Sequence, residues 1–343
     1  MKASVERLLV NYISAMAIIG LVYVYYQFNS YYLGFFSSTH VWPWFEISDQ
    51  ALFNYVVIAF AVLLPPYYAT FDDRHETKSA LFWRAVSHIG RRSPDEKEKV
   101  AVLATIVKAF FLPLMTAWFF ANGAEFLRHT ERFWQDRTFF VHGYWMLFNL
   151  LIFIDVAFFT LAYSIEHPRL RNEIKSVEPT LFGWAVAIIC YPPFNGVTNQ
   201  MLGWYSSDYP EIHNIWLRSL SGALILVLMS IYVWATIALN IKASNLTNRG
   251  IVTGGPYAYI RHPAYVCKNL SWWIGAIPIL IVQYHRGFSE LLYALFCVLA
   301  WSVIYYLRAV TEERHLMRDP DYQTYCETVP AFVPGRLKKI FHR

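Results

Sequence analysis

The chain has 343 residues, of which 56% are apolar, 18% are aromatic and only 15% are charged. That composition excludes a soluble globular protein of ordinary surface polarity and indicates an integral membrane protein. The formal net charge of +5 indicates contact with anionic lipid headgroups, because no nucleic-acid-binding motif accompanies it.

Apolar runs near the ~20 residues needed to cross a hydrocarbon core predict eight spanning helices. They cover residues 8–28, 51–71, 100–121, 139–163, 180–197, 217–241, 264–284 and 289–308. The predicted fold class is therefore all-α, a polytopic transmembrane bundle. The first run is too long for a signal-peptide core and lacks a cleavage site after it, so we expect it to remain as the first span.

Lysine and arginine are distributed unequally between the two predicted sides of the membrane. With a cytoplasmic N-terminus, the inner segments hold most of them, including Arg74, those of residues 78–99 and those of residues 308–343. The outer loops hold only Arg128, Arg132, Arg137 and Arg286. The positive-inside rule therefore predicts that both termini and the loop after the sixth span are cytoplasmic. Which cellular membrane holds the protein does not follow.

Residues 72–99 form the longest predicted inner loop. Its segment SALFWRAVSHIG places apolar side chains on one helical face, namely Leu81, Phe82, Ala85, Val86 and Ile89. This pattern predicts an amphipathic helix on the membrane surface, with basic side chains reaching lipid headgroups. We divide the chain into residues 1–179, an N-terminal region of four spans with no assigned role, and residues 180–343, which carry the chemistry.

Two charged residues fall inside predicted spans. Lys108 and Asp155 lie eight residues from the inner ends of the third and fourth spans, so antiparallel neighbours would bring them to similar depth. A structural ion pair is the simplest interpretation, because isolated charges are costly in hydrocarbon. A polar pathway through the bundle is the alternative.

The fifth predicted span is interrupted by the segment CYPPFNGVTNQ. Pro192 and Pro193 break the helix, and four polar side chains follow, namely Asn195, Thr198, Asn199 and Gln200. Irregular backbone at membrane depth persists only where it is buried in protein or lines a cavity. The segment therefore either borders a substrate cavity or is a plain helix end in the outer interface.

The four cysteines do not have the spacing of a ligand set. They are Cys190, Cys267, Cys297 and Cys326, and all fall in or near spans. We therefore expect neither disulfides nor a metal site.

The loop after the sixth span reads KASNLTNRGIVTGGPYAYIRHPAY and concentrates unusual chemistry. Gly250, Gly254 and Gly255 free the backbone, and Pro256 suits the first turn of a short helix whose N–H groups could face a ligand. Pro263 can begin the next span while keeping His262 out of helical geometry. Three tyrosines offer flat faces for a nucleobase: Tyr257, Tyr259 and Tyr265.

The end of the eighth span supplies a second motif, TEERHL. Arg308 and Glu312 share one helical face at i and i+4. Asp319 and Pro320 form an N-cap and first-turn pair that predicts a further helix with Tyr322, Tyr325 and Val329 along one side. A carboxylate at the base of a span could hold ribose hydroxyls or an amino group.

The two motifs together resemble the isoprenylcysteine carboxyl methyltransferase family and its phospholipid methyltransferase relatives. The resemblance rests on GPYAYIRHPAY, two spans joined by a short turn, EERHL and DYQTYCETVP, and it covers roughly residues 217–335. It implies S-adenosylmethionine bound in a pocket on the cytoplasmic face of the C-terminal half. The implied cofactor contacts are Arg249, Gly250, Ile251, Val252, Tyr257, His262, Pro263, Ala264, Tyr265 and Glu312. Between Leu316 and Tyr322 the chain is shorter than the family pattern and has DP where FG is common.

The resemblance implies methyl transfer to a lipophilic or lipidated acceptor, with membrane lipids as surroundings. A carboxylate acceptor would need no base and could be held by Arg308 through a bidentate bond. An amine or thiol acceptor must lose a proton, which His262 or Glu313 could take. The identity of the acceptor and the oligomeric state do not follow from the sequence.

Two other classes of protein remain open. Membrane sterol reductases have a similar architecture in their last spans and use NADPH, but their related motif has Asn where this chain has Ala264. A transporter or sensor without enzymatic activity would explain Lys108, Asp155 and the broken fifth span. That interpretation leaves the clustered motifs of the C-terminal half without a role.

Overall fold

The computed structural model describes residues 2–72, 75–209 and 211–333 and consists almost entirely of helices. The helices are α1 (Lys2–Phe28), α2 (Ser30–Phe35), α3 (Asp49–Ala69), α4 (Lys78–Ser87), α5 (Glu96–Asp136), α6 (Tyr144–Ser164), α7 (Leu181–Ile188), α8 (Phe194–Met201), α9 (Ile215–Leu239), α10 (Pro263–Arg286), α11 (Phe288–Leu316) and α12 (Pro320–Thr328). The strands form two antiparallel pairs, β1 (Thr39–Trp42) with β2 (Phe45–Ser48) and β3 (Ser176–Val177) with β4 (Thr247–Asn248). Arg74 and the basic residues from 336 to 343, which contribute to the predicted charge asymmetry, lie outside the described residues.

Seven helices among the described residues are long and apolar enough to cross a membrane: α1, α3, α5, α6, α9, α10 and α11. The predicted all-α polytopic bundle is therefore confirmed. The longest, α5, has 41 residues and spans roughly 60 Å, about twice the ~30 Å of a hydrocarbon core. It begins at a capping box, because the Asp95 carboxylate accepts the Glu98 N–H while the Glu98 carboxylate accepts the Asp95 N–H.

The spanning helices form a connected row in which the N-terminal and C-terminal regions share a core. α6 packs against α5 and also against α9, while α10 packs against α9 and α11. One buried cluster joins Tyr144 and Phe148 of α6 to Ile225 and Met229 of α9. The C-terminal end of α6 also meets the loop after α9, because the Tyr163 hydroxyl accepts the N–H of Asn245 at 2.7 Å. α6 and α9 are therefore parallel, with both C-termini at the same end of the bundle.

The fifth predicted span is not one helix but two short ones, α7 and α8. They are separated at Pro192 and Pro193, which cannot donate the backbone N–H bonds that a continuous helix needs. The segment nevertheless connects the two ends of the bundle. At one end Glu178 accepts a bond from Arg314 near the end of α11 at 2.8 Å. At the other end the Tyr144 hydroxyl, at the start of α6, donates to the Asp208 carbonyl at 2.5 Å. Residues 178–208 thus traverse the bundle as an interrupted crossing.

Gly275 of α10 lets the backbone of this interrupted crossing approach the helix closely. A methyl group at Gly275 would lie 2.0 Å from the carbonyl oxygen of Ser207, and Ser206 fixes that strip by donating to the Trp272 carbonyl at 2.8 Å. We therefore expect Gly275→Ala to lower the free energy of unfolding by about 1–3 kcal/mol, seen as a lower melting temperature in detergent. Gly20→Ala in α1 is the matched control, because nothing lies within 4 Å of the added methyl group. Equal melting temperatures for both variants would contradict the close approach.

The inner loop contains one helix among its described residues, α4, and its placement on the membrane surface stays a prediction. It begins after Thr77, whose hydroxyl caps the Ala80 N–H, and it buries Leu81 and Ala85. The basic side chains differ from the prediction, because Arg84 and Arg92 both bind the fully buried Glu98 carboxylate instead of extending only toward headgroups. The helix is therefore fixed to the base of α5 by charge-assisted bonds.

The predicted ion pair between Lys108 and Asp155 is wrong. Lys108 binds Glu166 at 2.6 Å, just beyond the end of α6. Asp155 accepts hydrogen bonds from Tyr232 at 2.8 Å and Thr236 at 2.5 Å, both on α9. The two charged residues therefore face different sides of the α5–α6 pair, a rotational difference that depth along a helix does not reveal.

Candidate functional site

The loop between α9 and α10 is held against two other segments of the chain. Its strand β4 pairs with β3, and the Asn248 side-chain amide donates to Asp319, the N-cap of α12, at 2.8 Å. Two of its three glycines use left-handed backbone, Gly250 at φ +99° and Gly255 at φ +62°. Because L side chains rarely adopt such values, the loop depends on glycine at both positions.

The end of this loop enters α10 as the sequence predicts. Pro256 lies in a single 3-10 turn, Gly255–Ala258. His262 has non-helical backbone angles, φ −123° and ψ 54°, and Pro263 is the first residue of α10. The carbonyl of Tyr257 accepts the hydroxyl of Tyr325 on α12 at 2.6 Å, so α12 lies against the loop.

Arg261 and His262 are both bound to Glu313 of α11. The Glu313 carboxylate accepts from Arg261 Nε at 2.8 Å and contacts His262 Nε2 at 3.0 Å. Burial alone would lower the pKa of Arg261, but Glu313 outweighs it and holds the pKa above its usual value. The residues after α12 add backbone contacts, since the Arg261 and His262 N–H groups donate to Pro330 and Ala331. Glu313 therefore joins the loop to α11.

One turn further along α10, Tyr265 joins the loop motif to the second motif. Its hydroxyl donates to the Glu312 carboxylate at 2.8 Å. Its ring lies parallel to that of His262, with centroids 5.5 Å apart and an interplanar angle of 5°. The two predicted motifs, some fifty residues apart in sequence, therefore meet at one place.

Arg308 lies inside a cage of aromatic rings. Its guanidinium carbon is 4.8 Å from the ring centre of Tyr305, 5.3 Å from that of Tyr265 and 5.7 Å from that of Tyr191. Nη2 donates to the Asn245 side-chain oxygen at 3.1 Å. The residue is 5% exposed. The cation–π contacts therefore stabilise the guanidinium charge away from water, and the guanidinium presents a planar set of N–H donors.

These groups surround a cavity of about 230 Å³. Seven predicted site residues line it: Tyr257, His262, Pro263, Ala264, Tyr265, Arg308 and Glu312. Its opposite wall comes from the N-terminal region and is mainly apolar, formed by Met115, Trp118, Ile152, Val156 and Phe159. The cavity therefore combines a polar, motif-bearing side with a hydrocarbon-like side.

The other predicted site residues lie beside the cavity. Arg249 is 3% exposed, and its Nη1 donates to the carbonyls of Ala162 and Asn172 at the end of α6. Burial lowers the pKa of Arg249 below its usual value. Gly250, Ile251, Val252 and Glu313 do not border the cavity either. The Arg249 side chain thus fastens the loop to α6.

Several cavity residues were not predicted from the sequence. Lys268 has its ammonium 5.3 Å from the ring centre of Tyr232, and Asp155 and Glu178 add two carboxylates. Lys268 lies one turn beyond Ala264 inside an apolar span, a signal that could have identified it. Glu178 lies in a loop and gives no such signal. Of the broken crossing, Tyr191 lines the cavity, whereas the predicted polar cluster from Asn195 to Gln200 does not.

A comparison with known protein families finds a match for the part of the chain that carries the two motifs. Residues 220–318 match the isoprenylcysteine carboxyl methyltransferase (ICMT) family. The predicted resemblance is confirmed for α9, the loop, α10 and α11, a segment similar to this methyltransferase family within a bundle of membrane-spanning helices. The ICMT match ends at residue 318. No curated protein and no solved structure gives a significant match to the chain.

Proposed function

We propose that this protein transfers a methyl group from S-adenosylmethionine to a lipophilic acceptor that enters from the bilayer. The observation that carries the proposal is the convergence of Tyr265, Arg308 and Glu312 on one cavity with an apolar opposite wall. The ICMT match supports the methyltransferase class. The basic loops at this end of the bundle favour a cytoplasmic orientation of the cavity.

The polar groups of the cavity fit a ligand that carries both a sulfonium and an ammonium. Glu178 is 2% exposed, and its Oε2 is buried without a hydrogen-bond partner. Glu312 accepts the Tyr265 hydroxyl through Oε2, which leaves Oε1 to accept a ribose hydroxyl or an ammonium. Burial also raises the pKa of Tyr257, so its phenol stays neutral and can donate. Glu178 and Glu312 are therefore the two cavity carboxylates that we expect to bind the ammonium and ribose groups of a cationic ligand.

The chemistry asked of these residues is mainly positioning. Bound S-adenosylmethionine supplies an already activated methyl group, so the protein must place the acceptor in line and keep water out. Arg308 can orient a carboxylate acceptor through parallel N–H bonds. For an acceptor that must lose a proton, Asp155 and His262 are titratable groups at the cavity. Glu313 is occupied by Arg261 and His262 and holds His262 in place.

The apolar wall gives the N-terminal region a role in the proposed reaction. Met115 and Trp118 of α5 and Phe159 of α6 face the cavity opposite the motif residues. A hydrocarbon chain that moves from the bilayer to this wall stays in apolar surroundings, so its transfer involves no exposure to water. We infer that this wall binds the apolar part of the acceptor.

Cofactor binding and labelling of the acceptor test the proposal. Calorimetry on purified protein should show binding of S-adenosylmethionine and not of NADPH, and His262→Ala should abolish it because the ring packs on Tyr265 and binds Glu313. Membranes with the protein, incubated with labelled methyl donor, should gain label in a protein or lipid fraction that membranes without it do not. Binding of NADPH alone would favour the reductase, and binding of neither cofactor would favour a transporter or sensor.

A further inference from the structure

A second cavity lies between α1, α3 and α5, away from the candidate methyl-transfer site. Its volume is about 240 Å³, as large as the candidate site and far above the water-sized voids of a packed interior. Most of its lining is apolar, including Ile18, Val22, Val57, Phe60 and Leu112. The cavity exists because α1 packs on α3 and α4, while α3 barely touches α5.

This cavity is elongated along the helices. Its α3 side extends from Phe53 to Tyr68, roughly 22 Å at 1.5 Å per residue, most of the thickness of a hydrocarbon core. Its polar side chains are concentrated at the end near the C-terminus of α6, where Lys78, Lys108 and Glu166 line it. A long apolar groove with one ionic end has the dimensions and polarity of a membrane amphiphile.

The ionic end carries two ammonium groups on one carboxylate. Lys78 and Lys108 both bind Glu166, and the Ile174 N–H donates to the same carboxylate at 2.8 Å. Burial alone would raise the pKa of Glu166, but the two ammonium groups outweigh it and hold the pKa well below its usual range. Each ammonium has three N–H donors, and Glu166 is the only described hydrogen-bond partner of either. Donors therefore remain for an anion.

The other acidic side chains of the cavity have partners of their own. Glu76 binds Arg84 at 2.7 Å, and Glu173 lies 3.6 Å from His75. Their side chains are 49% and 39% exposed, compared with 9% for Glu166. Among the described residues, the excess charge at the buried part of this end is therefore positive, and burying a net charge is costly unless a counter-charge joins it.

We propose that this cavity binds one membrane phospholipid, with its phosphate on Lys78 and Lys108 and an acyl chain in the groove between α1, α3 and α5. A phosphate offers several oxygens to two neighbouring ammonium groups, and lysine binds phosphate well as a point charge. The groove runs along the spanning helices with its ionic end at one end of the bundle, which is how a bilayer phospholipid is oriented. The proposal does not depend on methyl transfer.

A lipid-retention experiment on the unmodified protein tests the phosphate directly. Protein in mild detergent is loaded with dioleoylphosphatidylglycerol, dioleoylglycerol or oleate, washed in lipid-free detergent and analysed for bound lipid by mass spectrometry. We expect the phospholipid to be retained and dioleoylglycerol, which has the same chains without the phosphate, to be washed out. Equal retention of these two lipids, retention of oleate in preference to the phospholipid, or loss of all three would overturn the proposal.

Variants locate the retained lipid. A Lys78→Gln, Lys108→Gln, Glu166→Gln protein removes all three charges together and leaves no unpaired ion, while Ala109→Phe fills the groove with the triad intact. We expect each to lower phospholipid retention roughly tenfold or more. Lys99→Gln is the control. Lys99 lies in α5, as Lys108 does, but it is exposed and binds Glu96, so this variant should retain the lipid. Retention at the level of the unmodified protein in a folded Ala109→Phe variant would contradict this location.

Discussion

Replacing Arg308 by alanine should reduce methyl transfer at least about 100-fold while S-adenosylmethionine binding stays close to that of the unmodified protein. The guanidinium lies between Tyr305 and Tyr265 and donates to Asn245. Arg308 and Glu312 both line the cavity, and we propose that Arg308 faces the acceptor. Loss of a fixed, planar donor set would leave the acceptor without orientation, whereas the cofactor keeps its carboxylate partners. Calorimetry and a single-turnover methylation assay separate the two effects.

Arg308→Lys distinguishes orientation from charge. Lysine retains the positive charge but lacks the planar fork that stacks on the rings and binds bidentately, so we expect most of the loss to persist. Arg286→Ala is the control, because this arginine is exposed at the opposite end of α10. Full turnover in Arg308→Ala would remove this residue from the reaction, and loss of cofactor binding would assign it to the cofactor instead.

Replacing Glu312 should differ from replacing Arg308, because we expect the variant to lose cofactor binding itself. The carboxylate lines the cavity, and its Oε2 accepts the hydroxyl of Tyr265. Glu312→Gln keeps the shape and that hydrogen bond but removes the charge, so we expect binding of S-adenosylmethionine to weaken by roughly 10- to 100-fold. Glu312→Ala should remove measurable binding. Isothermal titration of the purified variants provides both values.

Glu290→Gln is the matched control for this experiment. Glu290 lies in the first turn of α11, exposed and at the other end of the same helix. It should bind the cofactor as the unmodified protein does. Cofactor affinity in Glu312→Gln equal to that of this control would show that the carboxylate does not hold the ligand, and the assignment of the cavity would fail with it.

Local chemistry made the C-terminal motifs predictable. The restriction that Pro263 places on His262, the cap at Asp319 and the i, i+4 relation of Arg308 and Glu312 are all properties of neighbouring residues. Each is found in the structure where the sequence predicts it. Hydropathy likewise predicts seven helices long and apolar enough to span a membrane, but it does not predict that α5 extends to 41 residues or that the fifth span is two short helices.

Properties that depend on how helices are rotated against one another were not predictable. Depth along the helices pairs Lys108 with Asp155, but its partner Glu166 lies just outside a span and carries no hydropathy signal. The Arg249 side chain is part of a cofactor motif by resemblance, yet it binds carbonyls at the end of α6. Glu178 lines the cavity because β3 pairs with β4, a two-residue contact that no periodicity indicates.

The role of the N-terminal region also depends on how helices pack against one another. The sequence shows four apolar spans with no motif, so it cannot assign them a task. The structure brings α5 and α6 against the C-terminal region, where they complete one cavity, and it separates α1 and α3 from α5 by another. Both cavities arise from packing between helices distant in sequence, which is a property of the assembled bundle.

The contacts that the last described residues make with the loop set the order in which the site can form during synthesis. Arg261 donates to the carbonyl of Val329 at 2.6 Å, and the ring of Phe332 stacks on His262 at 5.3 Å. These residues follow α11 in the sequence, so all seven of the described helices long enough to span a membrane are synthesised before them. A chain that stops before residue 329 would therefore hold the spanning helices but lack the contacts that brace the loop around Arg261 and His262.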